Sequence, residues 1–270
     1  MPLTRRTKMM FVTGGTGLLG RHLQRTPVVE KSWELIVPGS TSLDVRQREA
    51  VLRMVGDWKP RVVVHLAYRK DDRRTIVDGS RHMAEAAAAC GARLIHVSTD
   101  VVFAGRPAPY REGDPVSPMT DYGRMKAEAE HEVMAVCPAA VVLRTSLMYA
   151  TDVLAPVQLD VQRALRGETT TAFFTDEYRC PAHAGDVAAA IGVLASMPLV
   201  SGPLHIAGPE IVSRAELAAT FARWLGLNPN QLPTTSLAAA GLHRPARVVL
   251  DSSKAAALGL RCRPLAEALR

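Results

Sequence analysis

Aromatic residues make up only 5% of this 270-residue chain, and its four cysteines stand far apart at positions 90, 137, 180 and 262. No Cys-x-x-Cys occurs, and histidines and cysteines never cluster at ligand spacing. A structural zinc site is therefore not expected, and the spacing speaks for reduced thiols in a cytosolic protein. No apolar run is long enough to span a membrane. The basic start, Met1-Pro2-Leu3-Thr4-Arg5-Arg6-Thr7-Lys8, has neither the apolar run nor the small-residue cleavage site of a signal peptide, so a cytoplasmic location is expected. Acids are in the minority, 26 Asp and Glu against 33 Lys and Arg, for a formal charge of +7. The arginines are spread through Arg21, Arg46, Arg48, Arg53, Arg61 and Arg69 rather than gathered in a basic run with interleaved aromatics. That pattern argues against a nucleic-acid partner and for a solvated surface that draws in an anionic cofactor or substrate. Internal repeats and low-complexity tracts are also missing.

What the chain does have is apolar residues, 47% of the total, in short runs alternating with helical patterns. Met9–Thr13, Glu34–Val37, Val62–Leu66, Arg93–Val97 and Ala140–Arg144 read as strands. Helices are expected from Gly17 to Arg25, through Val51 and Met54, from Thr75 to Cys90, and from Tyr122 to about Val136. Near-continuous apolar strands alternating with helices imply a parallel sheet covered on both faces. After about residue 150 the pattern breaks into short apolar pieces, prolines and two helices, Asp186–Met197 and Ser213–Leu225. Residues 1–150 are therefore expected to form the main domain and 151–270 a smaller lobe, with an approximate boundary because later strands can return to the main sheet.

Two motifs carry chemistry. Thr13-Gly14-Gly15-Thr16-Gly17-Leu18-Leu19-Gly20 follows the first strand and opens the first helix. Its glycines, taken as Gly14, Gly17 and Gly20, permit a tight turn and close backbone approach to a pyrophosphate at a helix N-terminus. About a hundred residues on, Tyr122 and Lys126 stand four apart, on one face of a helix. An ammonium beside a phenol favours the phenolate, so such a tyrosine can exchange a proton near neutral pH. Alone, most Tyr-x-x-x-Lys pairs are a solvated lysine beside a half-buried tyrosine; behind a glycine turn the pair gains weight. The second strand ends Val37-Pro38-Gly39-Ser40, without the acid that would hold an NAD ribose 2′-hydroxyl. Arg21, after the last glycine, is placed for a 2′-phosphate, so NADP(H) is favoured over NAD(H). Asp44 and Val45 are expected at the adenine edge, and Leu66 and Ala67 in the adenosine pocket.

With these stretches, and with Ser98-Thr99-Asp100, Leu143-Arg144-Thr145-Ser146, Asp176-Glu177-Tyr178-Arg179-Cys180-Pro181 and Arg244-Pro245-Ala246-Arg247, the chain resembles the extended short-chain dehydrogenases/reductases. Within them it is similar to the dTDP-4-dehydrorhamnose reductase family over nearly its whole length. The resemblance implies a Rossmann-type, doubly wound α/β sheet with a smaller C-terminal substrate-binding lobe, and a keto-group reductase, often dimeric in relatives. It makes Thr99 the anchor of the substrate carbonyl, Tyr122 the acid and Lys126 the support of Tyr122 and of the nicotinamide ribose. The cofactor would meet Gly14, Thr16, Gly17, Leu18, Leu19, Gly20 and Arg21; Thr99, Asp100, Val101, Leu147 and Arg179 would face the substrate. For Arg179 an internal ion pair with Asp176 or Glu177 weighs as much as a grip on substrate, and for Arg144 an internal pair weighs more. The chain departs from the family at Asp78, where relatives carry asparagine, and at Val101 and Leu147, where rhamnose reductases carry tyrosine and tryptophan. Losing both aromatics keeps a non-sugar ketone open as substrate. The family also contains a regulatory subunit of methionine adenosyltransferase, so a non-catalytic NADP-binding subunit is the competing expectation.

Overall fold

The structure, a computed structural model, describes residues 8–270; the basic start at 1–7 lies outside the described residues. In chain order, β1 (Met9–Thr13) leads through the glycine turn to α1 (Leu18–Gln24) and the short α2 (Pro27–Glu30). Then come β2 (Glu34–Ile36), α3 (Arg48–Trp58), β3 (Val62–His65), a π-helical turn at Arg74–Asp78, α4 (Gly79–Cys90) and β4 (Arg93–Thr99). The long α5 (Asp121–Val136) precedes β5 (Val141–Thr145), β6 (Met148–Tyr149) and α6 (Pro156–Leu165). Next are β7 (Phe173–Phe174), β8 (Tyr178–Arg179), β9 (Ala182–His183), α7 (Ala184–Leu194), β10 (Gly202–His205) and β11 (Val212–Ser213). The chain closes with α8 (Arg214–Trp224), β12 (Thr234–Thr235), α9 (Ser253–Ala257) and α10 (Leu265–Ala268).

Two compact units result. Among the described residues, one is 8–98, Met125–Leu143 and Ala188–Leu204; the other is Thr99–Arg124, Arg144–Val187 and His205–Arg270. The sheet of the first runs β10-β5-β4-β3-β1-β2, and β2, β1, β3 and β4 pair in parallel. Phe11 lies opposite Val63, and Val63 opposite Leu94. These three side chains point to one face and pack with Val51 and Val55 of α3, Met83, Ala84 and Ala87 of α4 and Val133 of α5. All are buried, and each large apolar side chain contributes on the order of 1.5–3 kcal/mol when withdrawn from water. β10 takes the sheet edge beside β5, as a late strand returning from the C-terminal half.

Local chemistry sets the helix limits that matter for the site. Thr120 Oγ1 accepts the Gly123 N–H at 3.0 Å and starts α5; Pro138 follows shortly after its end. Gly91, at φ 67°, terminates α4 in the left-handed conformation. Two features differ from the sequence expectation. The alanine-rich helix expected from Thr75 opens with a π-turn, Arg74–Asp78, before α4 begins; Asp72 accepts the N–H groups of Arg74 and Thr75. The sequence shows only short apolar pieces between 151 and 186, whereas α6 forms there. Its Pro156 occupies the first turn. The fully buried Gln158 binds the Ala150 and Ala155 N–H groups and the Ala150 carbonyl.

Candidate active site

In the first unit the glycine turn, the loop after β2 and the loop after β3 enclose a cavity of about 500 Å³. Thr13, Gly14, Gly15, Thr16 and Gly17 form one wall, Pro38, Gly39, Ser40, Leu43, Asp44, Val45 and Arg46 another, and Leu66, Ala67, Tyr68 and Arg69 a third. Because the strands are parallel, all three loops leave from their carboxyl ends, where open α/β sheets bind ligands. The backbone at the turn leaves no room for side chains. Gly14 has φ +69°, and a Cβ there would lie 2.7 Å from the Ala67 nitrogen and the Leu66 carbonyl carbon. A Cβ on Gly20 would lie 2.5 Å from the Gly14 carbonyl oxygen and the Gly15 Cα. This close-packed cradle at the start of α1 fits the pyrophosphate of a dinucleotide, whose adenosine would meet Asp44, Val45, Leu66 and Ala67.

Of the residues expected at the cofactor, Gly14, Thr16, Gly17, Asp44, Val45, Leu66 and Ala67 line this cavity together. Leu18, Leu19, Gly20 and Arg21 sit on α1 outside its lining; Leu19 and Gly20 are buried beneath the turn. Arg21 donates from Nε to the Thr16 carbonyl at 2.8 Å, so its guanidinium braces the turn. The basic side chains in the cavity wall are Arg46 and Arg69, which in the sequence stand among the scattered arginines with nothing to single them out. Arg46 holds the Asp44 carboxylate through two nitrogens at 2.8–3.0 Å. That contact, foremost, pulls the Asp44 carboxyl below its ordinary value.

Lys126 is 4% exposed. Its Nζ donates to the Val97 carbonyl of β4 at 2.7 Å and lies 3.4 Å from His96 Nε2. Burial lowers its pKa to about 8, outweighing the opposing pull of Glu130 one turn along α5. Tyr122 stands on the same helix, half-buried, one turn before it. Asp78 closes the π-turn, and its carboxylate faces Arg73 at 3.3 Å; Arg73 also pairs with Glu128 of α5. A π-turn is an unusual conformation that recurs at functional sites.

In the second unit, Thr99 ends β4, and its hydroxyl accepts the Val101 N–H at 3.4 Å while donating to Asp100 at 3.2 Å. Val101 and its carbonyl press against the first turn of α5: a Cβ on Gly123 would sit 2.3 Å from the Val101 oxygen. Only glycine beside Tyr122 lets that turn approach so closely. Asp100, 3% exposed, accepts from Ser146 Oγ at 2.6 Å and faces Arg179 Nε at 3.7 Å. Arg179 is buried as well, with Nη2 3.2 Å from Glu177 and donating to the Pro245 carbonyl at 2.9 Å. Its guanidinium is thus engaged inside the protein and braces Asp100, the neighbour of Thr99. The acid it meets beyond Glu177 is Asp100, not Asp176, whose carboxylate instead caps the Leu237 N–H. Arg144 is buried too, over the Phe103 ring and against the Glu112 carbonyl. Leu147 is half-buried, its carbonyl accepting from Ala182.

A parallel sheet whose first strand passes through a glycine turn into a helix, with a cavity at the strands' carboxyl ends, defines the Rossmann-type α/β class. Residues 8–270 match the family described as RmlD substrate binding domain. The chain is 32% identical to the dTDP-4-dehydrorhamnose reductase of Streptomyces griseus, over 93% of this chain and 88% of that one. It is 30% identical to methionine adenosyltransferase 2 subunit beta of Pongo abelii, over 94% and 83%. In fold it is similar to the crystal structure of a dTDP-4-dehydrorhamnose reductase from Bacillus anthracis in complex with NADP, with a TM-score of 0.87 at 23% identity, covering 97% of each chain. The chain belongs to the RmlD family of extended short-chain dehydrogenases/reductases. Among the described residues no helix is long and apolar enough to cross a membrane.

Proposed function

We propose that this chain reduces a keto group with a nicotinamide dinucleotide, NADP(H) ahead of NAD(H), and that a 4-keto-6-deoxy nucleotide sugar is the first substrate class to test. The observation that carries this is Lys126, buried and held by a strand carbonyl one helical turn from Tyr122, in a chain whose glycine turn lines a cavity of about 500 Å³. When bound, the dinucleotide supplies hydride. Gly14, Thr16 and Gly17 would hold its pyrophosphate, and Asp44, Val45, Leu66 and Ala67 its adenosine. Thr99 would orient the substrate carbonyl by donating to its oxygen, and Tyr122 would give that oxygen its proton. Lys126 would favour the resulting phenolate and fix the ribose hydroxyls. Preference for NADP(H) is supported by the end of β2, where Pro38, Gly39 and Ser40 follow without an acid, and by Arg69 in the wall of the same cavity; Arg46 there is already paired with Asp44. Val101 and Leu147 make the substrate side more apolar than tyrosine and tryptophan would, which keeps a non-sugar ketone as the nearest variant.

The likeness to methionine adenosyltransferase 2 subunit beta supports a second reading, a dinucleotide-binding subunit without turnover. One experiment separates them: titrate the protein with NADPH and NADH, then follow oxidation with dTDP-4-keto-6-deoxyglucose. Sugar-dependent oxidation supports the reductase. Tight binding without oxidation of any ketone supports the subunit, and failure to bind either dinucleotide removes both.

A further inference from the structure

Thr13, His65 and His96 occupy one row across three parallel strands, Thr13 opposite His65 and His65 opposite His96. Residues opposite one another in register point to the same face, so the row forms a continuous line of side chains. Thr13 Oγ1 lies 2.7 Å from His65 Nδ1. The two imidazoles stack with centroids 5.6 Å apart and planes 24° from parallel. His96 Nε2 lies 3.4 Å from the Lys126 ammonium. The line therefore starts at the cavity wall, where Thr13 stands, and ends on Lys126. None of its members is more than 4% exposed.

The groups recorded around Lys126 are the Val97 carbonyl and His96 from β4 and Glu130 one turn later on α5, with His65 of β3 behind His96. A proton on either ring would add a positive charge to a desolvated row that already contains an ammonium. Burial first, and then the Lys126 charge, holds His65 at about 3 and His96 well below the ordinary histidine value. Both rings are accordingly uncharged at neutral pH, so each has one ring nitrogen able to accept a hydrogen bond. His96 Nδ1 and His65 Nε2 are buried without a hydrogen-bond partner. No bond from behind orients the His96 ring, so its orientation comes from the row itself.

We propose that His96 is a positioning residue for Lys126: its neutral ring accepts a hydrogen bond from the ammonium through Nε2, and His65, fastened to Thr13, holds that ring in line. The catalytic meaning of this contact rests on the reductase reading above, but the contact can be tested without substrate. The readout is the titration of the Lys126 side chain in the intact protein, followed by NMR of 13C-labelled lysine and assigned by its loss in Lys126→Arg. His96→Leu removes the acceptor and is expected to lower the Lys126 midpoint by about one pH unit, a tenfold change in proton affinity. In His96→Gln the amide oxygen falls near the Nε2 position, and the midpoint is expected to return to within about 0.3 units of the unsubstituted protein. A Leu variant with an unchanged midpoint, or a Gln variant displaced as far as Leu, overturns the assignment. Imidazole 15N spectra of the unsubstituted protein give a check that needs no folded variant. His96 is expected as the neutral Nδ1–H tautomer from about pH 6 to 9, and an imidazolium or the Nε2–H tautomer overturns the proposal. Absence of ketone reduction, in contrast, would remove the reductase reading and leave the Lys126 titration result standing.

Discussion

Substituting Gly14 by alanine isolates the backbone geometry on which the cavity depends. The residue sits at φ +69°, and an added Cβ would meet the Ala67 nitrogen and the Leu66 carbonyl carbon at 2.7 Å, both backbone atoms that cannot swing aside. The left-handed conformation costs a residue with a Cβ about 1–2 kcal/mol, and overpacking of a tight site about 1–3 kcal/mol. Reduced freedom of the unfolded chain returns about 0.4–1 kcal/mol. The net expectation is a loss of about 2–4 kcal/mol, which for a chain of this size lowers Tm by about 4–8 °C. The displaced Leu66-Ala67 backbone is a cavity wall, so dinucleotide affinity should fall as well. Gly56, in the interior of α3 with nothing within 4 Å of an added Cβ, is the control. Its replacement by alanine should stabilise by about 0.5–1 kcal/mol. Calorimetric or fluorescence melts of the two variants, with a titration of NADPH fluorescence for Gly14→Ala, read both effects. A Gly14→Ala protein that melts within about 1 °C of the parent and binds dinucleotide equally well would refute the reasoning.

Three further outcomes are expected. Tyr122→Phe should reduce ketone turnover by about 10²–10⁴-fold, the usual worth of a general acid, while dinucleotide affinity stays within about twofold; undiminished steady-state turnover removes Tyr122 from the chemistry. Lys126 titrates at about 8 when folded against 10.5 when free, so between those values the unfolded chain binds more protons and stability should rise with pH across the window. Lys126→Met should flatten that rise and stabilise the fold at pH 7 by at most about 3 kcal/mol, read from urea melts at pH 7 and 10; parallel pH profiles for the two proteins would contradict it. Arg179→Met should cost up to about 3–5 kcal/mol, because it removes the buried cation between Asp100 and Glu177 and leaves Asp100 with the Ser146 and Thr99 hydroxyls and Glu177 with Arg244 alone. A parent-like melt with a raised KM for the keto substrate would instead make Arg179 a substrate ligand.

The sequence is most legible where conformation is decided within a few residues. Met9–Thr13 is an apolar strand of the length expected, and the glycines that follow permit backbone approaches no other residue allows. Thr120 and Pro138 bracket α5 closely enough that spacing alone puts Tyr122 and Lys126 one turn apart on one helix. The same local reading is blind to α6. There, a proline that only opens a helix looks like a break, and Gln158, a polar residue, is the fully buried one. Arg21 follows the turn in sequence and looks placed for a phosphate, yet its Nε finds the nearer Thr16 carbonyl.

By itself the sequence determined a parallel α/β sheet, the glycine cradle, and the spacing of the tyrosine and lysine on their helix, because backbone torsion and the periodicity of strands and helices are properties of neighbouring residues; the Rossmann type came from the family resemblance. Only the tertiary structure decided which distant side chains meet. Strand register put Thr13, His65 and His96, from three separate strands, in one line ending at Lys126. Folding of the second unit buried Arg179 against Asp100, and the loops after β1, β2 and β3 gathered Gly14, Arg46 and Arg69 around one cavity. These meetings depend on how strands pair and stack across tens of residues, and no short-range preference encodes that.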